Sequence, residues 1–162
     1  MIQRVGVVGC GLMGSGIAQA SAVAGCEVVV SDVEESLLAR GRAAIERSLT
    51  KLVEKGKLDA AAPAAALGRL RFTTALEDLS RSELIIEAVT EDLELKTRVW
   101  TTLDRACPAE VIFASNTSSL SIMAMARVTG RPDRFLGLHF FNPVPLMPLV
   151  EVVRSVATSP AT

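Results

Sequence analysis

The sequence predicts a doubly wound α/β fold, an open and mostly parallel sheet with helices on both faces. Three observations predict it. Short β-branched runs alternate with longer amphipathic or alanine-rich stretches, the pattern of successive βαβ units. The runs are apolar almost throughout, as strands covered on both faces are. A glycine-rich segment follows the first run directly and opens the first helix. With 162 residues, 49% of them hydrophobic and 22% charged, the chain has the size of one ordinary domain and enough apolar material for a core.

Taken in order, Arg4 to Val8, Glu27 to Ser31, Leu84 to Ala88, Val111 to Ser115, Phe135 to Phe140 and Leu149 to Val153 read as strands, with a shorter one at Leu70 to Thr73. Gly14 to Ala24 reads as the first crossover helix, and Leu93 to Arg105 as a later one stopped by Cys107-Pro108. Ser119 to Val128 is expected to be another helix. Glu35 to Glu54 is longer than a crossover requires, and Gly56, Asp59 and Pro63 separate it from Ala64 to Leu67. This predicts a helical hairpin inserted after the second strand. Leu38, Ile45, Leu49, Leu52 and Val53 recur along it at roughly helical spacing. After Val153 the pattern stops, which divides the chain into a domain at 1–154 and a linker stub at 155–162.

The formal net charge of −1 implies no general attraction to nucleic acid or an anionic membrane. No apolar run approaches the roughly 20 residues that cross a bilayer. Three scattered cysteines, Cys10, Cys26 and Cys107, suit neither a disulfide frame nor a zinc site, so no metal and a reducing, cytoplasmic setting are expected. One histidine and no tyrosine leave few candidates for acid/base chemistry near neutral pH.

Gly9, Gly11 and Gly14 form a G-x-G-x-x-G set between a strand and a helix, and Asp32 ends the next strand, the arrangement of a Rossmann-type dinucleotide site. Gly9 permits the tight turn, Gly11 lets backbone approach a pyrophosphate, and Gly14 allows close helix packing. Asp32 would accept hydrogen bonds from ribose hydroxyls. With Glu34 and Glu35 beside it and no adjacent arginine, it disfavours a 2′-phosphate, so NAD is expected rather than NADP. Cys10 reads as a small filler of the loop.

His139 stands at the end of a strand, where open α/β sheets face their ligand crevice. Glu151 interrupts the apolar run Leu149 to Val153. A carboxylate there either orients the imidazole, leaving its other nitrogen as a base, or is an edge-strand glutamate pointing into water. Asn116-Thr117-Ser118-Ser119 follows the strand, and the hydroxyls in it either cap a helix or reach a ligand at the crevice.

Four segments together, 6–18 (GVVGCGLMGSGIA), 87–96 (EAVTEDLELK), 115–120 (SNTSSL) and 137–153 (GLHFFNPVPLMPLVEVV), closely resemble the NAD-binding domain of the L-3-hydroxyacyl-CoA dehydrogenase family. The resemblance spans nearly the whole chain and includes the inserted hairpin. It implies that His139 is the catalytic base, that Glu151 orients it, and that Ser118 lies near both substrate and nicotinamide. Met13, Asp32, Val89, Glu91, Lys96 and Asn142 fall on cofactor-binding positions, and Ser48 and Lys55 on positions that touch coenzyme A. The implied substrate is an acyl-CoA, oxidised reversibly at its 3-hydroxyl. The resemblance also implies a helical second domain beyond residue 162 that closes over the acyl chain and carries most of a dimer interface. A dehydrogenase of a small hydroxy acid and a non-catalytic NAD-binding module are the alternatives.

Overall fold

The computed structural model describes residues 1–162. Its sheet has seven strands: β1 (Arg4–Val8), β2 (Glu27–Ser31), β3 (Leu70–Thr73), β4 (Leu84–Glu87), β5 (Ile112–Ser115), β6 (Phe135–Phe140) and β7 (Val150–Arg154). Their order is β3-β2-β1-β4-β5-β6-β7, with every pairing parallel except β6 with β7. The direction of travel across the sheet reverses between β1 and β4, the switch point at which such sheets open a crevice beyond their carboxyl ends.

Helices α1 (Leu12–Val23), α2 (Glu35–Glu54) and α3 (Ala62–Gly68) cover one face, and α4 (Leu93–Ala106) and α5 (Ile122–Ala126) the other. The first face buries Val5, Val7, Val28 and Val30 beneath Ile17, Ala18, Leu38, Ile45 and Leu49. On the second, Trp100 of α4 stacks against Phe113 and Phe135, with ring centroids 4.9 and 4.8 Å apart. Burying one such large side chain is worth about 1.5–3 kcal/mol. Between β2 and β3 lies the predicted hairpin, and its buried stripe Leu38, Gly41, Ile45, Leu49 follows the i, i+3, i+4 rule. Gly41 is what lets α2 close on the glycine loop, because a Cβ there would collide with Cys10 Sγ.

Four expectations are revised. The first helix begins at Leu12 rather than Gly14, which puts Gly14 inside its first turn. The helix expected over Ser119 to Val128 is confined to Ile122–Ala126, because Thr117 Oγ1 takes the Leu120 amide at 2.9 Å and Ser121 caps Ala124. β7 is not covered on both faces: it is an antiparallel edge strand exposed along its whole length. Residues 155–162 fold back onto the start of β6, where the buried Thr158 donates to the Phe135 carbonyl at 2.7 Å and the Ser159 amide to that of Asp133 at 2.8 Å.

Candidate active site

Apart from the hairpin residues and Glu151, every residue singled out for chemistry lies at or beyond the carboxyl end of a strand or in the first turns of the helix that follows; Glu151 reaches the same edge from the start of the antiparallel β7. Gly9 holds φ at +93°, a left-handed turn that bends the chain off β1. The chain then enters α1 at Gly11, whose helix-opening amides carry no side-chain cap and remain free donors. Asp32, at the tip of β2, ties the loop down: its Oδ2 accepts the Cys10 amide at 2.6 Å and its Oδ1 the Val33 amide at 2.7 Å. Each oxygen keeps a further lone pair for a ligand hydroxyl. A cavity of about 380 Å³ opens here, with Gly9, Gly11, Asp32 and Val89 in its wall and Val33 and Leu37 among its apolar lining. A Cβ on Gly11 would meet nothing within 4 Å, so the loop backbone faces open space where a pyrophosphate would approach. Free amides, a bare backbone, a carboxylate and an apolar slot together fit a dinucleotide.

Cys10 is buried against α2, and burial first, then the nearby Asp32 charge, pushes its thiol up to about 11. Burial also raises Cys107; Arg131 opposes that rise and Asp104 adds to it. All three thiols are free, and Cys26 alone is partly exposed. Since the thiolate is the reactive species, a thiol reagent at pH 8 is expected to modify Cys26 first and the other two at least about tenfold more slowly, measured by mass spectrometry after timed quenching. Rapid labelling of Cys10 would show the loop to be far more open.

The second cluster is built by strand pairing. His139 and Glu151 are directly opposite each other in the antiparallel β6–β7 ladder. The imidazole Nδ1 lies 2.7 Å from Glu151 Oε2. A carboxylate can only accept, so in the neutral ring Nδ1 carries the hydrogen and Nε2 keeps its lone pair. That lone pair faces the Ser118 hydroxyl, 3.0 Å away. The result is a serine, an imidazole and a carboxylate in one line, with a basic nitrogen at the crevice. The glutamate satisfies both sequence readings, since its side chain is 53% exposed on an edge strand and yet holds the ring.

Glu91 lies between the two clusters. Its Oε1 accepts the Thr117 hydroxyl and the Ser118 amide, the latter at 3.0 Å, and its Oε2 lies 3.2 Å from Lys96 Nζ. Burial pushes its carboxyl up, but hydrogen bonds from Thr117, the charge and hydrogen bond of Lys96, and the Ser118 amide together hold it below the usual carboxylate range. A depressed carboxyl contributes stability that is present above its unfolded pKa, and the contribution is lost only as pH falls through the lowered value.

Lys96, at one of the expected cofactor positions, is 1% exposed and pairs with Glu87 at 2.6 Å. Met13, in the first turn of α1, packs partly buried against the core, and Asn142 is exposed in the loop after β6, before a cis Pro143. Asn116 is structural, its Oδ1 accepting the Phe140 amide at 2.8 Å. Ser48 and Lys55 do come together, in a separate cleft of about 270 Å³ that also includes Arg47 and Lys51 and is closed by Pro143 and Pro145. The sequence reading missed Glu87, Arg47 and Lys51. Arg47 and Lys51 were legible in principle, as a cationic i, i+4 pair on the same face as Ser48 and Lys55.

Fold and site together define a dinucleotide-binding domain of the dehydrogenase type. Residues 4–162 match the family described as 3-hydroxyacyl-CoA dehydrogenase, NAD binding domain, and the chain belongs to that family. It is 52% identical over 161 residues to a 3-hydroxybutyryl-CoA dehydrogenase of Mycobacterium tuberculosis, covering 99% of this chain and 56% of the relative. It is 43% identical over 168 residues to the mitochondrial hydroxyacyl-coenzyme A dehydrogenase of Sus scrofa, covering 100% of this chain and 54% of that one. The crystal structure of an (S)-3-hydroxybutyryl-CoA dehydrogenase from Ralstonia eutropha superposes with a TM-score of 0.96 at 46% identity, over 99% of this chain and 57% of that one. The chain thus spans little more than half the length of the curated relatives it matches. NAD is the cofactor of this domain, in agreement with the acidic Asp32 and the bare Gly11 backbone.

Proposed function

We propose that this chain is the cofactor-binding and proton-transferring part of an enzyme that interconverts an L-3-hydroxyacyl-CoA and the corresponding 3-ketoacyl-CoA. The observation that carries the reading is the Ser118–His139–Glu151 line at the crevice beside the dinucleotide cavity. NAD, when bound, supplies the hydride acceptor for the oxidation, and NADH the donor for the reverse. His139 Nε2 takes the proton of the 3-hydroxyl, and the Glu151 carboxylate stabilises the imidazolium that forms. In the reducing direction the same nitrogen returns the proton to the 3-oxygen. Ser118, within reach of Nε2, donates to that oxygen and keeps it directed at the base.

The cationic cleft supports coenzyme A as the handle of the substrate. Lys55, Lys51 and Arg47 around Ser48 offer charge for phosphate oxygens, and Leu52 and Leu146 offer apolar surface. Asp32 with Glu34 and Glu35 supports NAD over NADP, and Gly9, Gly11, Val89 and Asp32 form its site, with Met13, Glu91, Lys96 and Asn142 around it. Residues 1–154 act as the nucleotide-binding unit, with 155–162 packed back against it, and dimer contacts are made elsewhere. Three free thiols suit a cytoplasmic setting, and no helix is long and apolar enough to cross a membrane.

The test is NADH oxidation by the full-length natural chain with acetoacetyl-CoA, against small keto acids and against NADPH. Preference for a small keto acid would overturn the reading. Lys55→Glu is expected to raise the KM for acetoacetyl-CoA about tenfold, the equivalent of ~1.4 kcal/mol, with kcat unchanged. An unaltered KM would remove the cleft from the substrate path.

A further inference from the structure

A line of polar groups runs from the buried floor of the sheet out to the exposed Ser118 hydroxyl. It starts at Glu87, the last residue of β4, which is 0% exposed. Its Oε1 accepts Lys96 Nζ at 2.6 Å and the Val89 amide at 2.8 Å, and its Oε2 accepts the Ser115 hydroxyl at 2.6 Å. Lys96 has three protons to place and three acceptors within reach: Glu87 Oε1, Glu91 Oε2 at 3.2 Å and the Val89 carbonyl at 3.4 Å. Glu91 is thereby held from below through one oxygen. Through the other it receives Thr117 Oγ1, the Ser118 amide at 3.0 Å and, more weakly, the Ser119 amide at 3.4 Å. Thr117 Oγ1 in turn accepts the Leu120 amide at 2.9 Å.

The Glu87 carboxylate and the Lys96 ammonium at this depth are costly to desolvate, and an apolar pair would stabilise the fold as well or better. The arrangement does something a core cannot. Ser118 is exposed on a loop, and a free loop serine would sample several rotamers and backbone positions. Here its amide is anchored on a carboxylate whose two oxygens are both engaged, and its hydroxyl lands 3.0 Å from His139 Nε2.

We propose that Thr117 and the Glu87–Lys96 pair are positioning residues for proton transfer: they hold the Glu91 carboxylate in one place, and Glu91 holds the Ser118 hydroxyl against His139. The inference rests on the dehydrogenase reading above. Thr117 is the node at which it is best tested, because valine keeps its shape and deletes only the hydroxyl.

In the full-length chain, Thr117→Val is expected to lower kcat for acetoacetyl-CoA reduction about 30-fold, within the range that sub-ångström to ångström misplacement produces. KM for acetoacetyl-CoA should stay within about twofold, since the cleft around Ser48 and Lys55 is untouched, and Thr117→Ser should restore most of the loss in kcat. A merely structural role would instead lower the melting temperature and leave kcat of the folded protein alone. The second readout is the imidazole ¹⁵N spectrum, with the His139 resonance assigned by its absence in His139→Asn. Its Nε2 signal should move in Thr117→Val in the same direction as in Ser118→Ala, and return in Thr117→Ser. If the valine chain does not fold, Thr117→Ala carries both measurements. Wild-type kcat in folded Thr117→Val or Thr117→Ala, or an Nε2 signal that moves in Ser118→Ala but in neither of these two, overturns the proposal. Absence of acetoacetyl-CoA turnover in the wild type would instead overturn the dehydrogenase reading, and the imidazole spectrum would then decide the positioning role by itself.

Discussion

His139→Asn in the full-length chain is expected to lower kcat for 3-hydroxyacyl-CoA oxidation about 10³-fold, the usual worth of a general base, with the Kd for NADH within about twofold of wild type. The asparagine is chosen for what it keeps. Its side-chain NH₂ occupies roughly the place of Nδ1 and can still donate to Glu151, so the cross-strand brace between β6 and β7 survives. It has nothing at the position of Nε2, the atom that faces Ser118 and, on the proposed reading, the 3-hydroxyl. The cavity that takes the dinucleotide is lined from the ends of β1 and β2, the segment that follows β4, α2 and α4 and does not include His139, so binding should be spared. Stopped-flow fluorescence for NADH and steady-state absorbance for turnover separate the two quantities. A parallel loss of both would make the histidine a structural residue and remove its chemical role.

The pairing of His139 with Glu151 shows what could be read in advance and what could not. Both residues stand out in the sequence, one as the only histidine and the other as a charge in an apolar run. What joins them is that β7 runs antiparallel to β6, and the segment Leu149 to Val153 has the same apolar character whichever way it pairs. Direction is set by the short return through residues 141–149, too brief for a crossover helix, which periodicity within the strand does not register. The strand positions themselves were legible because β-branched runs between glycines and helices have few alternatives.

The shortened α5 has another cause. Propensity continues the helix back toward Ser119, but the Thr117 hydroxyl competes for the amides that a helix would use and keeps the chain open as far as Ser121. The Glu87–Lys96 pair left a fainter trace. Lys96, Trp100 and Leu103 are the buried positions of α4, at i, i+4 and i+7, so a lysine occupies a place on the apolar stripe. A cation there demands a buried partner, and the only acid at a neighbouring strand end is Glu87.

The three glycines of the first loop carry distinct burdens, and alanine substitutions should separate them. A Cβ on Gly14 would run into the carbonyl oxygen and carbon of Gly9, both backbone atoms of the turn that leaves β1. No rotamer change relieves a clash between backbone and Cβ, so α1 must shift away from β1. Overpacking of this kind costs about 3 kcal/mol or more. At this size that corresponds to a fall in Tm of roughly 10 °C. The same shift pulls the free amides of α1 out of line with Asp32 and the cavity, so NADH affinity is expected to fall at least about 100-fold, ~2.7 kcal/mol. Gly11→Ala should behave otherwise. Its Cβ meets no protein atom within 4 Å and its φ is an ordinary −72°, so Tm should hold within about 2 °C, the scale of a harmless surface change. The methyl group nevertheless enters the space through which the pyrophosphate approaches the backbone, and NADH binding should weaken without loss of fold. Calorimetry and NADH titration of the two variants give four numbers with a fixed pattern: both properties lost at Gly14, affinity alone lost at Gly11. If Gly11→Ala binds NADH as the wild type does, the phosphates do not cross the loop there, and the dinucleotide must lie in the cavity in some other orientation.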